Sequence, residues 1–242
     1  MIELCCIIIG WFIGGFINGM AGFGAAMVAM PLIAPFIDFS VAVPSCVLIV
    51  LTLNCHVGWT FRKYIDYKYL KGIFWGAIPG TVLSLMVLEY ISERHLKIGM
   101  GGFITLYALW GLFAEAEARK TIHAGWGYLA GVLSSTFGTA FGFNGPPLAA
   151  FAAYCGCPAK AVKGILGAGF VITGLFIFSG KAFTGQITPN VLLIFAASTP
   201  AVILGSKLGI RASSYLSEVV YRKLLLVALA AMGGSLVFSA AL

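Results

Sequence analysis

The chain has 242 residues, of which 60% are hydrophobic and 10% are charged, and its formal net charge is +7. Soluble domains carry roughly 25% charged residues because water must solvate their surface, so this composition excludes a soluble globular protein. Apolar runs recur along the whole length, many of them near the ~20 residues that a bilayer-spanning helix needs. The composition therefore predicts an all-α integral membrane protein surrounded by a lipid bilayer.

The first apolar run contains a glycine-rich interruption, Gly19-Met-Ala-Gly-Phe-Gly24. The run lacks the basic start and the small-residue cleavage site of a signal peptide, so we expect it to belong to the fold. Breaking it at the glycines gives two short elements, over residues 2–18 and 23–37. Three longer apolar runs follow and predict spans near 42–60, 69–88 and 95–113.

A second interrupted run follows the polar link over residues 114–125. It contains Thr136-Phe-Gly-Thr-Ala-Phe-Gly-Phe-Asn-Gly-Pro-Pro147 and splits into short elements over 122–136 and 143–156. Three further spans are predicted at 160–180, 188–207 and 219–241.

The two halves of the chain align as an internal repeat. Laying residues 15–113 against 131–238 pairs Gly15 with Gly131 and Pro79 with Pro200, in the same order along both halves. We therefore predict one transmembrane repeat over 1–113, a linker over 114–125 and a second repeat over 126–242. Internal duplication is common in secondary transporters, whose substrate sites lie between the repeats.

The basic residues distinguish two counts of membrane crossings. If each interrupted run crosses once, there are eight crossings, with 7 basic residues in loops on one side and 8 on the other. If each crosses twice, there are ten, and the distribution becomes 12 against 3. Basic residues collect in cytoplasmic loops. This favours ten crossings, two inverted repeats of five segments, and both termini outside a plasma (inner) membrane; it also explains the net charge without a nucleic-acid partner.

The paired interruptions predict a binding site for a small anion. Proline after glycine ends a helix and frees backbone groups, and a free helix start attracts anions. Close packing of helices through small residues is the alternative for these glycines, and capping of the broken helices is the alternative for the asparagine and threonines. The residues predicted to bind substrate are Gly22, Phe23, Gly24, Gly138, Thr139, Asn144 and Gly145, with Asn54 and Thr173 nearby.

Several of these side chains have a second interpretation. Phe23 and Phe143 fit either apolar gates or simple packing. Asn54 and Thr173 are paired by the repeat and fit either substrate binding or a contact between helices. His56, an ionisable side chain inside a predicted span, fits either proton handling or a structural hydrogen bond.

The chain also lacks several chemical signatures. No Asp, Glu, Lys or Arg lies in the middle of a predicted span, and no nucleotide-binding loop, metal-ligand cluster or catalytic triad spacing is present. Cys155-Gly-Cys157, without a second pair, is a weak metal or redox motif. We therefore expect no cofactor and no metal, and an anion held by backbone amides, neutral side chains and helix dipoles.

The interrupted segments resemble a known family. "GFGAAMVAMPL" in the first half and "FGTAFGFNGPPL" in the second, together with "VAVPSCVLIVLTLN" over 41–54 and the Ser-Glu pair before each closing helix, resemble the sulfite exporter TauE/SafE family. This family is also called the toluene sulfonate uptake permease family. The resemblance implies transport of sulfur oxyanions such as sulfite or organosulfonates, or of related small organic acids.

We therefore expect a secondary transporter, an exporter or permease that works by alternating access, and not an enzyme. Two alternatives are a passive anion channel and a membrane enzyme or assembly factor that handles thiols through Cys155 and Cys157. The sequence leaves open the exact substrate, the direction of transport, the coupling ion, whether the protein forms a homo-oligomer, and whether the glycine-rich breaks are re-entrant or full crossings.

Overall fold

The computed structural model describes residues 2–21, 24–88, 90–113, 122–212 and 218–241. Within these ranges the regular structure is entirely helical, which confirms the predicted all-α class. The helices are α1 (Ile2–Ala21), α2 (Ala25–Ile33), α3 (Phe39–Thr60), α4 (Tyr67–Leu88), α5 (Glu93–Phe113), α6 (Trp126–Phe141), α7 (Gly145–Tyr154), α8 (Ala159–Phe183), α9 (Pro189–Ala212) and α10 (Glu218–Ala241), with a 3-10 turn at Arg62–Tyr64.

Five of the described helices, α1, α4, α5, α8 and α9, are long and apolar enough to cross a bilayer. Large apolar side chains such as Trp75, Leu106 and Leu193 lie exposed on them. Outward-facing apolar groups are costly in water and favourable in hydrocarbon. The chain is therefore a multi-pass integral membrane protein.

Each glycine-rich interruption ends one helix and begins a short one. Gly24 precedes α2 with φ 96°, and Gly142 follows α6 with φ 83°. The Gly142 N–H donates to the Gly138 carbonyl at 3.0 Å, which closes the last turn of α6. Because only glycine adopts positive φ without a steric cost, these two glycines place the breaks where the sequence predicts them.

The lengths of the broken elements differ from the prediction. The predicted bounds 2–18, 23–37, 122–136 and 143–156 give four elements of similar length, whereas α1 has 20 residues, α6 has 16, and α2 and α7 have only 9 and 10. The short helices end early because Pro35 lies in a turn after α2, and Gly156 takes φ 68° after α7. At ~1.5 Å per residue, a ten-residue helix covers about half of a ~30 Å hydrocarbon core.

The helices form two compact units that each combine both halves of the sequence. The first unit contains residues 1–45, 91–115 and 188–242, and the second contains 46–90 and 116–187. In the first unit α1 packs on α9 and α5 on α10, and in the second α4 packs on α6 and α8. Each unit thus contains helices from both halves of the sequence. The repeat over 1–113 and 126–242, with its linker over 114–125, stays a prediction.

Glycine lets α1 and α9 of the first unit touch along their backbones. A methyl group at Gly15 would overlap the Val202 carbonyl, and one at Gly19 would overlap the Ser206 carbonyl. The residue numbers rise together along the contact, so the two helices run in the same direction. Small residues permit such close approach between transmembrane helices.

In the second unit, α4 and α6 make the same kind of backbone contact at glycines. A methyl group at Gly76 would overlap the Tyr128 carbonyl, and one at Gly80 would overlap the Val132 carbonyl. These helices also run in the same direction, and their backbones are in direct contact.

Helix directions within the second unit bear on the number of crossings. Ile73 on α4 lies against Gly169 on α8, and Leu85 lies against Gly180, so α4 and α8 point the same way. Ten crossings require this direction, whereas eight would make α4 and α8 antiparallel. The helix directions in this unit therefore agree with the ten-crossing arrangement.

We expect Gly76→Ala to destabilise the fold, because the new methyl group meets backbone that has no room to move. Overpacking of this kind costs roughly 1–3 kcal/mol, which thermal unfolding of the purified protein in detergent would detect. Gly102→Ala is the matched control, since nothing lies within 4 Å of a methyl group at Gly102. Equal melting temperatures for the two variants would contradict the tight α4–α6 contact.

Labelling of introduced cysteines tests the topology. In a background without the six native cysteines, Lys63→Cys and Thr184→Cys place one thiol on each of two exposed segments. Ten crossings put these positions on opposite sides of the membrane, and eight put them on the same side. An impermeant maleimide added to intact cells should therefore label position 184 and spare position 63 until the membrane is permeabilised. Labelling of both positions in intact cells would refute the ten-crossing arrangement.

Candidate functional site

The second break is surrounded by buried polar side chains. Ser134, Ser135 and Thr139 on α6 and Thr173 on α8 are fully buried, and Asn144 at the start of α7 is nearly so. We call these five residues the break cluster. Burying polar groups is unfavourable unless they find hydrogen-bond partners, so the partners of these side chains indicate what the cluster does.

Asn144 connects three helices. Its side-chain amide donates to the Thr173 hydroxyl at 2.8 Å, and its backbone carbonyl accepts a hydrogen bond from the Ser134 hydroxyl. Thr173 in turn donates to the Gly169 carbonyl at 2.9 Å. The Asn144 side chain makes no cap to its own helix. The structure thus brings together two predicted site residues, Asn144 and Thr173, and adds Ser134, which sequence reasoning missed.

The start of α7 offers few free backbone donors. Gly145 begins the helix, and Pro146 and Pro147 follow it without an N–H group. At α2 the first turn is Ala25-Ala26-Met27, in which every residue has an N–H. The predicted attraction of an anion to free amides therefore suits α2 better than α7, where the donors come from side chains.

Gly138 and Thr139 have distinct roles in the geometry of the break. A methyl group at Gly138 would overlap the Ile177 side chain and press on Asn144, so glycine leaves room for the Asn144 side chain. Thr139 turns back and donates to the Ser135 carbonyl at 2.8 Å. Phe143 is buried and stacks on Phe141, with ring centroids 5.7 Å apart.

The remaining predicted residues lie elsewhere or beyond the described ranges. Gly24 stands at the start of α2, in open space. Asn54 is buried on α3 in the second unit. Gly22 and Phe23 lie outside the described residues, and His56 lies on α3 with its side chain outside the described part.

Two buried hydroxyls in the second unit have no hydrogen-bond partner among the described residues. They belong to Thr81 on α4 and Ser135 on α6. A buried hydroxyl without a partner costs roughly 1–3 kcal/mol. Water or a polar ligand that reached these groups would recover that energy. Neither residue has a sequence signal, since Thr and Ser also occur in helices simply as small residues.

Cys46 and Lys181 are further features that the sequence did not reveal. The Cys46 thiol donates to the Gly142 carbonyl at 3.1 Å and so satisfies a group freed by the break. Lys181, which hydropathy places in a loop, belongs to the last turn of α8 and is buried. The apolar run ends at Lys181, whereas the helix continues to Phe183. For this reason hydropathy alone assigns Lys181 to a loop.

A separate cavity lies in the first unit, at the ends of α2, α5 and α10. Its volume is about 480 Å³. The Lys97 ammonium pairs with the Glu93 carboxylate at 2.7 Å. The lining consists of Ala34, Pro35, Glu93, Arg94, Lys97, Leu236, Ser239 and Ala240.

In the described ranges, no three His, Cys, Asp or Glu residues come together as a metal site. The Cys155 thiol donates to the Ala152 carbonyl at 3.0 Å, and the Tyr69 hydroxyl donates to the Cys155 carbonyl at 3.2 Å. The first bond ties Cys155 back to α7, and the second ties the segment after α7 to α4. The Cys155-Gly-Cys157 stretch thus has a structural role in the second unit.

Comparisons with known proteins identify relatives along nearly the whole chain. A family model described as "Sulfite exporter TauE/SafE" matches residues 6–236. A protein of Cupriavidus necator named "Probable sulfite/organosulfonate exporter TauE" is 26% identical over 235 residues, which cover 94% of this chain and 91% of that protein. No solved structure is significantly similar to the chain.

Thr173→Val tests whether the break cluster holds the second break together. The substitution keeps the shape of the side chain but removes the acceptor of the Asn144 amide, which would stay buried without a partner. We expect a loss of roughly 1–3 kcal/mol in unfolding free energy, measured by denaturant titration in detergent. Thr173→Ser, which keeps the hydroxyl, should lose much less. Equal losses for the two variants would show that the hydroxyl is unimportant.

Proposed function

The chain belongs to the sulfite exporter TauE/SafE family, and we propose that it is a secondary transporter for sulfite, organosulfonates or related sulfur oxyanions. The curated relative carries the name of a sulfite and organosulfonate exporter. Transport of a small anion is consistent with an integral membrane protein whose second break is rich in hydroxyl and amide groups.

The observation that carries the proposal is the break cluster. Inside a membrane protein, irregular backbone persists only where protein buries it or where it borders a wet cavity. Five buried neutral polar side chains surround this break, and the hydroxyls of one of them, Ser135, and of Thr81 on α4 are unpaired among the described residues. Neutral donors bind an oxyanion without holding it permanently, which suits a transporter that must release its cargo.

We propose that the site uses Asn144, Thr173, Gly138, Thr139 and Gly145 at the second break. Gly22, Phe23 and Gly24 are proposed to contribute from the first break, with Asn54 nearby and His56 as a proton-handling candidate. In this proposal the two inverted repeats, over 1–113 and 126–242, rock to expose the site alternately to each side. The protein would lie in the inner (plasma) membrane with both termini outside.

A passive anion channel is the principal rival. Channel flux rises with substrate concentration without saturating at a binding site, whereas carrier flux saturates. The thiol-handling alternative requires reactive cysteines. It is disfavoured because the Cys155 thiol is buried and donates to a neighbouring carbonyl.

Uptake of sulfite into proteoliposomes tests the proposed function. Wild-type protein should give saturable uptake, and Asn144→Ala should lower uptake roughly tenfold or more, because hydrogen bonds to a charged ligand are strong. Asn190→Ala, at an exposed position of α9, is the matched control and should behave like wild type. Unfolding curves must show that both variants are folded.

Three results would count against the proposal. Uptake that never saturates would favour the channel. Equal uptake by the Asn144 variant and wild type would remove the site assignment. Loss of uptake in a Cys155→Ser, Cys157→Ser double variant that still folds would favour thiol chemistry.

A further inference from the structure

We infer that Lys181 is the cationic group that binds the transported anion at the end of α8, where the Gln186 side chain now accepts its hydrogen bond. The inference rests on the proposed transport of an oxyanion. It adds a charged binding residue to a site that sequence reasoning expected to be wholly neutral.

Lys181 is buried to a degree that is unusual for a lysine. Only 2% of the residue is exposed, although it lies in the last turn of α8, one residue after Gly180. Lysine is almost never fully buried unless it is paired, because removing an ammonium from water is costly. A buried lysine therefore raises the question of what compensates its charge.

The described part of the second unit provides no carboxylate for Lys181. Asp66 is the acidic residue in that part, and it precedes α4, which runs parallel to α8, so it lies near the opposite end of the helices. Glu89 and Glu117 lie outside the described residues. The side-chain partner of the Lys181 ammonium is the neutral Gln186, whose oxygen is 3.0 Å away.

The loop after α8 holds Gln186 over Lys181. The Gln186 backbone N–H donates to the Lys181 carbonyl at 2.9 Å, and its side-chain amide donates to the Thr184 hydroxyl at 3.0 Å. Gly185, with φ 72°, makes the turn that allows this arrangement. Gln186 thus presents a neutral oxygen to the ammonium. An anionic oxygen would form a stronger hydrogen bond with the same group, so an oxyanion can displace Gln186.

Two further features describe the surroundings of Lys181. The buried Cys46 thiol, which interacts electrostatically with Lys181, donates to the Gly142 carbonyl at the break. Thr81, whose buried hydroxyl has no partner among the described residues, packs its methyl group against Gly180. Among the described residues, a hydroxyl without a hydrogen-bond partner and an ammonium without a carboxylate partner therefore lie at neighbouring positions where α4 packs on α8.

Gln186→Glu is the decisive variant. It places a carboxylate where the neutral amide now bonds Lys181, and this internal counter-ion should compete with the transported anion. We expect a higher melting temperature than wild type, together with a rise of roughly tenfold or more in the KM for sulfite uptake into proteoliposomes. Because the variant should be more stable, misfolding cannot explain the loss.

Lys181→Met removes the charge and keeps the length of the side chain. It should raise the KM for sulfite by a similar factor without lowering the melting temperature, and Lys181→Arg should retain more of the affinity. Lys163→Met, at an exposed position of the same helix, is the matched control and should leave the KM unchanged.

The outcomes separate this inference from the proposed function. If wild-type protein shows no saturable sulfite uptake, the proposed function fails. If wild type transports sulfite and the Gln186→Glu and Lys181→Met variants keep its KM, the inference about Lys181 is overturned while the function stands. If Glu89→Gln lowers the melting temperature as much as the loss of a buried ion pair would, Glu89 is the counter-ion of Lys181. That result also overturns the inference.

Discussion

The structure depends on the rule that no backbone polar group can be left unsatisfied in hydrocarbon. A continuous helix obeys this rule by itself, whereas a broken helix exposes carbonyl and amide groups that its neighbours must satisfy. At the second break the Gly142 carbonyl accepts from Cys46 on α3, and the Asn144 carbonyl accepts from Ser134 on α6. The polar residues at the break are therefore needed first for the fold, and the proposed binding of an anion uses what the fold already requires.

Backbone contact between parallel helices provides the rigid surroundings of such a break. Without a hydrophobic force between helices in lipid, their association relies on close packing. Gly76 and Gly80 on α4 bring α6 near enough for the Ser84 hydroxyl to donate to the Thr136 carbonyl at 3.1 Å. This bond lies two residues before Gly138, at the end of α6. This contact between α4 and α6 thus fixes the last turns of α6, at the end of which Gly142 makes the break.

The sequence predicted the fold class, the family and the positions of both breaks because these depend on local features. Apolar length predicts the helices, and a glycine that must adopt positive φ marks each break at Gly24 and Gly142. The predicted lengths of α2 and α7 were wrong because the apolar residues continue past the points where Pro35 and Gly156 turn the chain. The partners of Asn144 and the burial of Lys181 depend on residues far away in the sequence, and no local pattern encodes them.

The contact between α1 and α9 has a consequence for the synthesis of the protein. The glycines of α1 at 15 and 19 meet a partner around residues 202–206, so the ribosome must complete most of the chain before α1 can dock. Until then α1 stays in the translocon or in lipid, and the face that carries Gly15 and Gly19 has no helix packed against it. Premature termination anywhere before α9 would leave this helix without its neighbour, so truncated products should be targets for membrane proteases.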